Sequence, residues 1–333
     1  MQIFALDAGR AWGEKVAAHL QVPLARHEER DFEDGEHKIR PIENVRGREV
    51  FVIHSLYSEP GQSVNDKICR LLFFIGALKD ASARRVVAVI PYLAYARKDR
   101  KTKTRDPVSM KYMAKLLEAA GADHLVTLDV HNIAAFQNAF RIPTDHLEAR
   151  VVFTPRLVQL LGEEEMIVVS PDPGGVKRAE QLRETLSALL EKDISNAFLE
   201  KKRSMGKVSG ETLVGDVKGR TAIIIDDIIS SGTTINRAVN VLQEQGATRI
   251  LAAVSHGIFA GNAMETLANP ALEKLLLTDS IPPFRLPPGI VQDRLDIASA
   301  APLFAEAMKR IYEGNSVTDL LNEYPQSTIN GTG

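Results

Sequence analysis

Only one cysteine, Cys69, occurs in the 333 residues. An internal disulfide is therefore impossible, which fits a reducing compartment and predicts a cytoplasmic protein. Cys69 lies in an apolar, helix-like run (KICRLLFFIGALK) and reads as an inert packing thiol rather than a reactive one. No apolar run approaches the ~20 residues that cross a bilayer. The opening MQIFALDAGRAWGEKV lacks the charged, apolar, small-residue order of a secretion signal. Charge of one sign is also scarce: the formal net charge is -2. That balance argues against bulk attraction to nucleic acid or an anionic membrane, although a local basic patch remains open.

What is present is an ordinary globular composition, 44% hydrophobic and 25% charged, long enough for two cores. Short, continuous, β-branched runs occur at Val50–His54, Val86–Ile90, Leu125–Leu128, Ile167–Ser170, Ala222–Ile225, Ile250–Val254 and Leu275–Leu277. Runs of this kind belong to strands covered on both faces of a parallel sheet. Helical patterns at Asp66–Lys79, Ser109–Ala120, Lys177–Leu190 and Thr234–Gln245 alternate with them, which predicts an α/β fold. Two blocks repeat the order strand, loop, helix, strand: one begins at VFVIHS and the other at AIIIDD. Each is followed by a further strand that ends in an aspartate, Asp129 or Asp279. The simplest account is a duplicated fold, with domains at 1–148 and 149–325; chance convergence of two α/β units is the alternative. The pattern Leu303–Tyr312 predicts a last helix that returns to the first domain. The polar residues 326–333 predict a disordered tail.

The stretch TAIIIDDIISSGTT, Thr221–Thr234, poses a chemical question. A run greasy enough to be buried ends in Asp226 and Asp227, and Ser230, Ser231, Gly232, Thr233 and Thr234 follow. Ligands of open parallel sheets bind beyond the carboxyl ends of strands. A helix starting near Thr234 would present orphan N–H groups and a positive dipole end to an anion. Small residues let a phosphate approach, and hydroxyls donate to it. The aspartates would repel that phosphate. They suit neighbouring sugar hydroxyls or a hard cation. A phosphorylated sugar satisfies both halves; a capped turn behind exposed aspartates is the plainer alternative.

The stretch IIIDDIISSGTT resembles the phosphate loop of phosphoribosyltransferases. With DFEDGE, PYLAYARKDRK, DVH and SPDPGGVKRA in order, the chain resembles the ribose-phosphate pyrophosphokinase family from about Phe32 to Tyr324. The resemblance implies two tandem phosphoribosyltransferase-like (Rossmann-like) α/β domains with central, mostly parallel sheets. It also implies transfer of the β,γ-diphosphoryl group of ATP to the 1-hydroxyl of ribose 5-phosphate, with Mg²⁺ and fixed cations stabilising the charge.

On that resemblance, Phe32, Asp34 and Glu36 meet adenine, where an exposed turn is the bland alternative. Arg97 and Lys98, in a basic stretch that composition alone reads as a solvated loop or a nucleic-acid patch, bind ATP. Lys98 stands where many family members have glutamine. His131 helps hold Mg·ATP, and Asp172 lies near the ribose and its metal; an N-cap is the alternative for Asp172. Asp226, Asp227 and Ser230–Thr234 bind ribose 5-phosphate. Lys201 and Arg203, in a mobile loop, are the catalytic cations, against a solvated turn. HNIAAFQNAF departs from the family's usual sequence after the histidine. Asn44 replaces a frequent serine or threonine of the effector site while Arg46 remains, so an altered response to phosphate and ADP is expected. A homo-oligomer built from dimers, commonly a hexamer, is implied; nucleic acid and membrane are not expected as partners. A non-catalytic regulatory homologue and a phosphoribosyltransferase that consumes the product are the competing functions.

Overall fold

The computed structural model describes residues 1–162, 164–204 and 207–330, with the side chains of 201–211 and 324–330 outside the description. The chain divides into two compact units. One is Met1–Glu148 with Ala300–Leu321; the other is Ala149–Ser299 with the segment that begins at Asn322.

The first unit runs β1 (Gln2–Ala5), α1 (Arg10–Leu20), β2 (His27–Asp31), β3 (His37–Pro41), β4 (Glu49–Ile53), α2 (Val64–Asp80), β5 (Arg85–Ile90), α3 (Ser109–Ala120), β6 (His124–Leu128), α4 (Ile133–Ala139) and β7 (Thr144–Leu147). Its parallel sheet has the order β1-β4-β5-β6-β7, while β2 and β3 form a separate antiparallel hairpin. Alternation along the strands divides the burial. Phe4, Val50, Val52, Val86, Ala88, Ile90 and Leu125 join Leu71, Phe74, Leu78, Met113 and Leu117 of α2 and α3 in one core. On the opposite face Gly13 of α1 lies so close to β1 that an added Cβ would stand 2.3 Å from the Ala5 Cβ. Helix α2 begins at a capping box, in which Ser63 and Asp66 each accept the other's backbone N–H. Cys69 is exposed on α2, so its expected role as a packing thiol is corrected. The hydrophobic stripe of α2 is carried by Ile68, Leu71, Phe74 and Ile75, and Cys69 falls off that stripe.

The second unit runs α5 (Arg150–Leu161), β8 (Met166–Ser170), α6 (Val176–Leu190), β9 (Ser195–Ser204), β10 (Lys207–Val214), β11 (Thr221–Ile229), α7 (Thr233–Glu244), β12 (Arg249–Gly257), α8 (Ala263–Ala268), β13 (Lys274–Thr278), α9 (Pro288–Arg294) and β14 (Leu295–Ala298). Its sheet has the order β10-β9-β8-β11-β12-β13-β14, parallel except for the β9–β10 pairing. Strands β8, β11, β12 and β13 are buried along most of their length, as their β-branched runs require. From β8 the chain passes to β9 on one side and later to β11 on the other. The strand order therefore reverses between β8 and β11, where open α/β sheets place a ligand crevice.

Helix α10 (Ala301–Glu313) belongs to the first unit, where Phe304 meets Trp12 of α1 edge to face at a centroid distance of 5.1 Å. Helix α11 (Val317–Asn330) starts where Ser316 Oγ accepts the Asp319 amide. It corrects the expected tail: residues 326–330 are helical, and 331–333 lie outside the described residues. Leu320, 3% exposed, anchors this helix, which polar composition alone does not disclose. No described helix is long and apolar enough to cross a membrane.

Candidate active site

The aspartate pair is not at a strand terminus, as expected, but inside β11. Strand β11 pairs with β8 only as far as Ile224↔Val169, yet with β12 as far as Ile229↔Gly257. The last residues of β11 thus project past the end of β8, and Asp226 and Asp227 stand at the reversal point. Both are largely enclosed, with side chains 16% and 6% exposed. Arg178 of α6 lies between them, its Nη1 3.7 Å from Asp226 Oδ1 and 3.3 Å from Asp227 Oδ1. Burial, and then the neighbouring Asp227 charge, push the Asp226 carboxyl well above the ordinary carboxylate range, against the pull of Arg178. Arg178 is a site residue that the motif reading passed over. Its signal was the cation just after the glycine pair in SPDPGGVKRA.

The hydroxyl loop follows directly. Helix α7 begins at Thr233, one residue before the expected start, and Gly232 is its N-cap in the left-handed region at φ 76°. A Cβ at Gly232 would also stand 2.1 Å from Thr266 Oγ1, so both conformation and space demand glycine. No side chain caps this helix, and Asn236 N–H makes the first helical bond to Gly232 O, at 2.9 Å. The amides of Thr233, Thr234 and Ile235 precede that bond, and are the orphan donors expected at a helix start. Ser230 and Thr234 are half-buried, while Ser231 and Thr233 are exposed and share a 3.0 Å hydroxyl contact. At the end of β8, Asp172 Oδ1 accepts from Gly174 N at 2.8 Å and Gly175 N at 3.1 Å. Asp172 is thus an N-cap, and its Oδ2 accepts no hydrogen bond from the described residues. Lys201 and Arg203, expected in a loop, fall on β9, opposite Glu211 and Val208 of β10. Their side chains lie outside the described residues.

In the first unit, Phe32, Asp34 and Glu36 form the tip of the β2–β3 hairpin. Phe32 N–H donates to Glu36 O at 2.8 Å, and Asp34 Oδ1 accepts the Glu36 amide at 3.1 Å. All three are exposed, and Arg30 lies 5.4 Å over the Phe32 ring. Arg97 is exposed beyond β5. Lys98 Nζ is engaged with Asp106 Oδ2 at 2.7 Å and Thr102 Oγ1 at 3.0 Å. Lys98 first, and then the Thr102 hydroxyl, which donates to Asp106 Oδ2 at 2.7 Å, hold the Asp106 carboxyl below the usual range. Exposed His131 follows β6, and Asn132, its neighbour, donates to Asp99 Oδ2 at 2.6 Å, which ties the basic loop to the histidine loop. Neither His131 nor Asp172 belongs to a group of three or more potential metal donors among the described residues.

A reversal point in a parallel sheet, a paired carboxylate and a hydroxyl loop on a helix N-terminus define an α/β protein of the phosphoribosyltransferase type. The family model for the N-terminal domain of ribose phosphate pyrophosphokinase matches residues 1–121, and that for the phosphoribosyl synthetase-associated domain matches residues 192–322. A ribose-phosphate pyrophosphokinase of Caldanaerobacter subterraneus is 40% identical over 96% of this chain and 97% of its own. One of Hyphomonas neptunium is 39% identical over 97% of this chain and 100% of its own. The crystal structure of phosphoribosylpyrophosphate synthetase from Mycobacterium smegmatis matches with a TM-score of 0.84 and 35% identity, over 94% of this chain and 99% of that one. The chain belongs to the ribose-phosphate pyrophosphokinase family and is an enzyme of that class.

Proposed function

We propose that the chain joins ribose 5-phosphate to the β,γ-diphosphoryl group of ATP, giving 5-phosphoribosyl 1-diphosphate and AMP. The observation that carries this reading is the placement of Asp226 and Asp227 at the β8/β11 reversal, directly before the hydroxyl loop at the start of α7. The 5-phosphate accepts from the loop amides and from Ser230, Ser231, Thr233 and Thr234. Asp226 and Asp227 accept from the ribose hydroxyls. Arg178 balances the pair when both are ionised.

The 1-hydroxyl oxygen attacks the β-phosphorus, the bond from that phosphorus to the α–β bridging oxygen breaks, and AMP leaves with that oxygen. The hydroxyl proton passes to water or to a phosphate oxygen. Arg97 and Lys98 serve the triphosphate; Lys98 must then exchange Asp106 for phosphate. Phe32 offers adenine a flat face, and Asp34 and Glu36 accept from its exocyclic amine. Lys201 and Arg203 stabilise the transferring oxygens. Mg²⁺ would neutralise phosphate charge when bound. Asp172, with a hard oxygen to spare, fits it, and His131 is assigned with Asp172 on the family resemblance. The adenine-side hairpin is exposed, which suits completion of the site by a second copy in a dimer-based homo-oligomer. A cytoplasmic setting agrees with the single cysteine.

Coupled formation of AMP and the diphosphate product from ATP, Mg²⁺ and ribose 5-phosphate is expected, with a loss of roughly 10²–10³-fold in kcat for Lys201→Ala. Intact protein that binds nucleotide but forms neither product would identify a non-catalytic homologue instead.

A further inference from the structure

The root of the β2–β3 hairpin contains a cluster of metal-type donors that the reaction does not use. His27 and Glu29 lie two apart on β2, so both side chains point to one face. Asp7, in the turn after β1, meets them there. His27 Nε2 is 3.1 Å from Glu29 Oε1 and 3.5 Å from Asp7 Oδ1. Donors held about 2.0–2.2 Å from a common ion stand roughly 3.0–3.5 Å apart, so this spacing already suits one. His27 and Glu29 are enclosed, at 2% and 5% side-chain exposure, while Asp7, at 60%, leaves an entrance.

Two independent observations point to a missing partner. His54 follows β4 beside the Asp7–Gly9 turn, and its Nδ1 would lie 3.7 Å from a Cβ at Gly9. It is 1% exposed, and neither ring nitrogen has a hydrogen-bond partner. A water carried by an ion is a partner of the kind it lacks. The local charge is also unbalanced. Arg70 pairs with Glu29 and Asp31, and buried Lys67 pairs with Glu59. Asp7 adds a further carboxylate, so Asp7, Glu29, Asp31 and Glu59 outnumber the two paired cations, Lys67 and Arg70.

We propose that Asp7, His27 and Glu29 bind a divalent first-row transition ion, separate from the catalytic Mg²⁺, that fastens the hairpin to β1. An imidazole with two carboxylates favours such an ion over Mg²⁺, which keeps water and oxygen ligands. The proposal does not depend on the reaction proposed above.

Chelator-treated full-length protein, without nucleotide, would be titrated with Co²⁺ while its visible absorption is followed. Crystals grown with Zn²⁺ would be examined for an anomalous peak. One equivalent of Co²⁺, a peak within bonding distance of His27 Nε2, and a Tm raised by Zn²⁺ are expected. His27→Ala should lose the absorption band, and Asp7→Asn, at the exposed entrance and so compatible with folding, should weaken binding at least tenfold while product formation in Mg²⁺ is kept. Unchanged Co²⁺ affinity in Asp7→Asn, no binding by the unmodified protein, or a peak elsewhere would overturn the site and leave His27 as a hydrogen-bond partner of Glu29 alone.

Discussion

In the first unit β1 is followed by α1 and by a hairpin, β2–β3, that stands as a sheet of its own. In the second, β8 is followed by α6 and by a hairpin whose first strand, β9, pairs parallel with β8. After the hairpin both units resume the same order, β4-β5-β6-β7 and β11-β12-β13-β14. Each penultimate strand ends at an aspartate tied to the last strand's side: Asp129 lies 4.0 Å from His146, and Asp279 Oδ2 accepts from Ser299 Oγ at 2.7 Å. One connection order thus yields two different sites. Docking β9 beside β8 creates the reversal point that holds Asp226 and Asp227. In the first unit only an isolated bridge, Ile3↔Leu24, begins the same addition to β1. The freed hairpin instead presents Phe32, Asp34 and Glu36 at its tip.

The largest expected effect separates the units by stability. Phe304 is fully buried against Trp12, and Phe304→Ala should cost the first unit about 3–5 kcal/mol. Hydrogen exchange should accelerate in peptides from β1, α1 and β4, and not in those from β11 and β12. Equal acceleration in both would show that the units do not open independently.

The second contrast is in pH. Burial, aided by Lys67, lowers the buried His54 to about 3. Between its ordinary range and that value the unfolded chain takes up a proton that the folded chain refuses, so stability is lost as pH falls. Asp226 has the opposite sign: its raised folded pKa means that stability is lost as pH rises above the ordinary carboxylate range. In chelated protein, Asp226→Asn should raise Tm at pH 8 and lose that advantage near pH 4. His54→Gln should flatten the decline from pH 6.5 to pH 4. Parallel Tm–pH curves for a variant and the parent would contradict the corresponding assignment.

The smallest effect tests the hairpin. Phe32→Ala should raise KM for ATP roughly tenfold, about 1.4 kcal/mol, and leave that for ribose 5-phosphate unchanged. A change confined to the sugar phosphate would place the tip elsewhere in the reaction.

The sequence by itself determined the buried parallel strands. Continuous runs such as Val86–Ile90 and Ile167–Ser170 can satisfy their hydrophobicity only between two layers, and β5 and β8 contain them. It also determined the bounds of α3, whose apolar stripe and C-terminal Gly121 mark it clearly. The aspartate–hydroxyl stretch declared its chemistry because anion binding at a helix start needs small residues in series. Tertiary structure alone decided the short edge strands β7 and β14 and the polar β2, HEERD, whose pairing comes from neighbours rather than from its own pattern. It also decided that Arg178 reaches both aspartates and that His27, Glu29, Asp7 and His54 gather at one place. Those contacts join residues far apart in sequence, and a local pattern records the periodicity of one element, not which others it will meet.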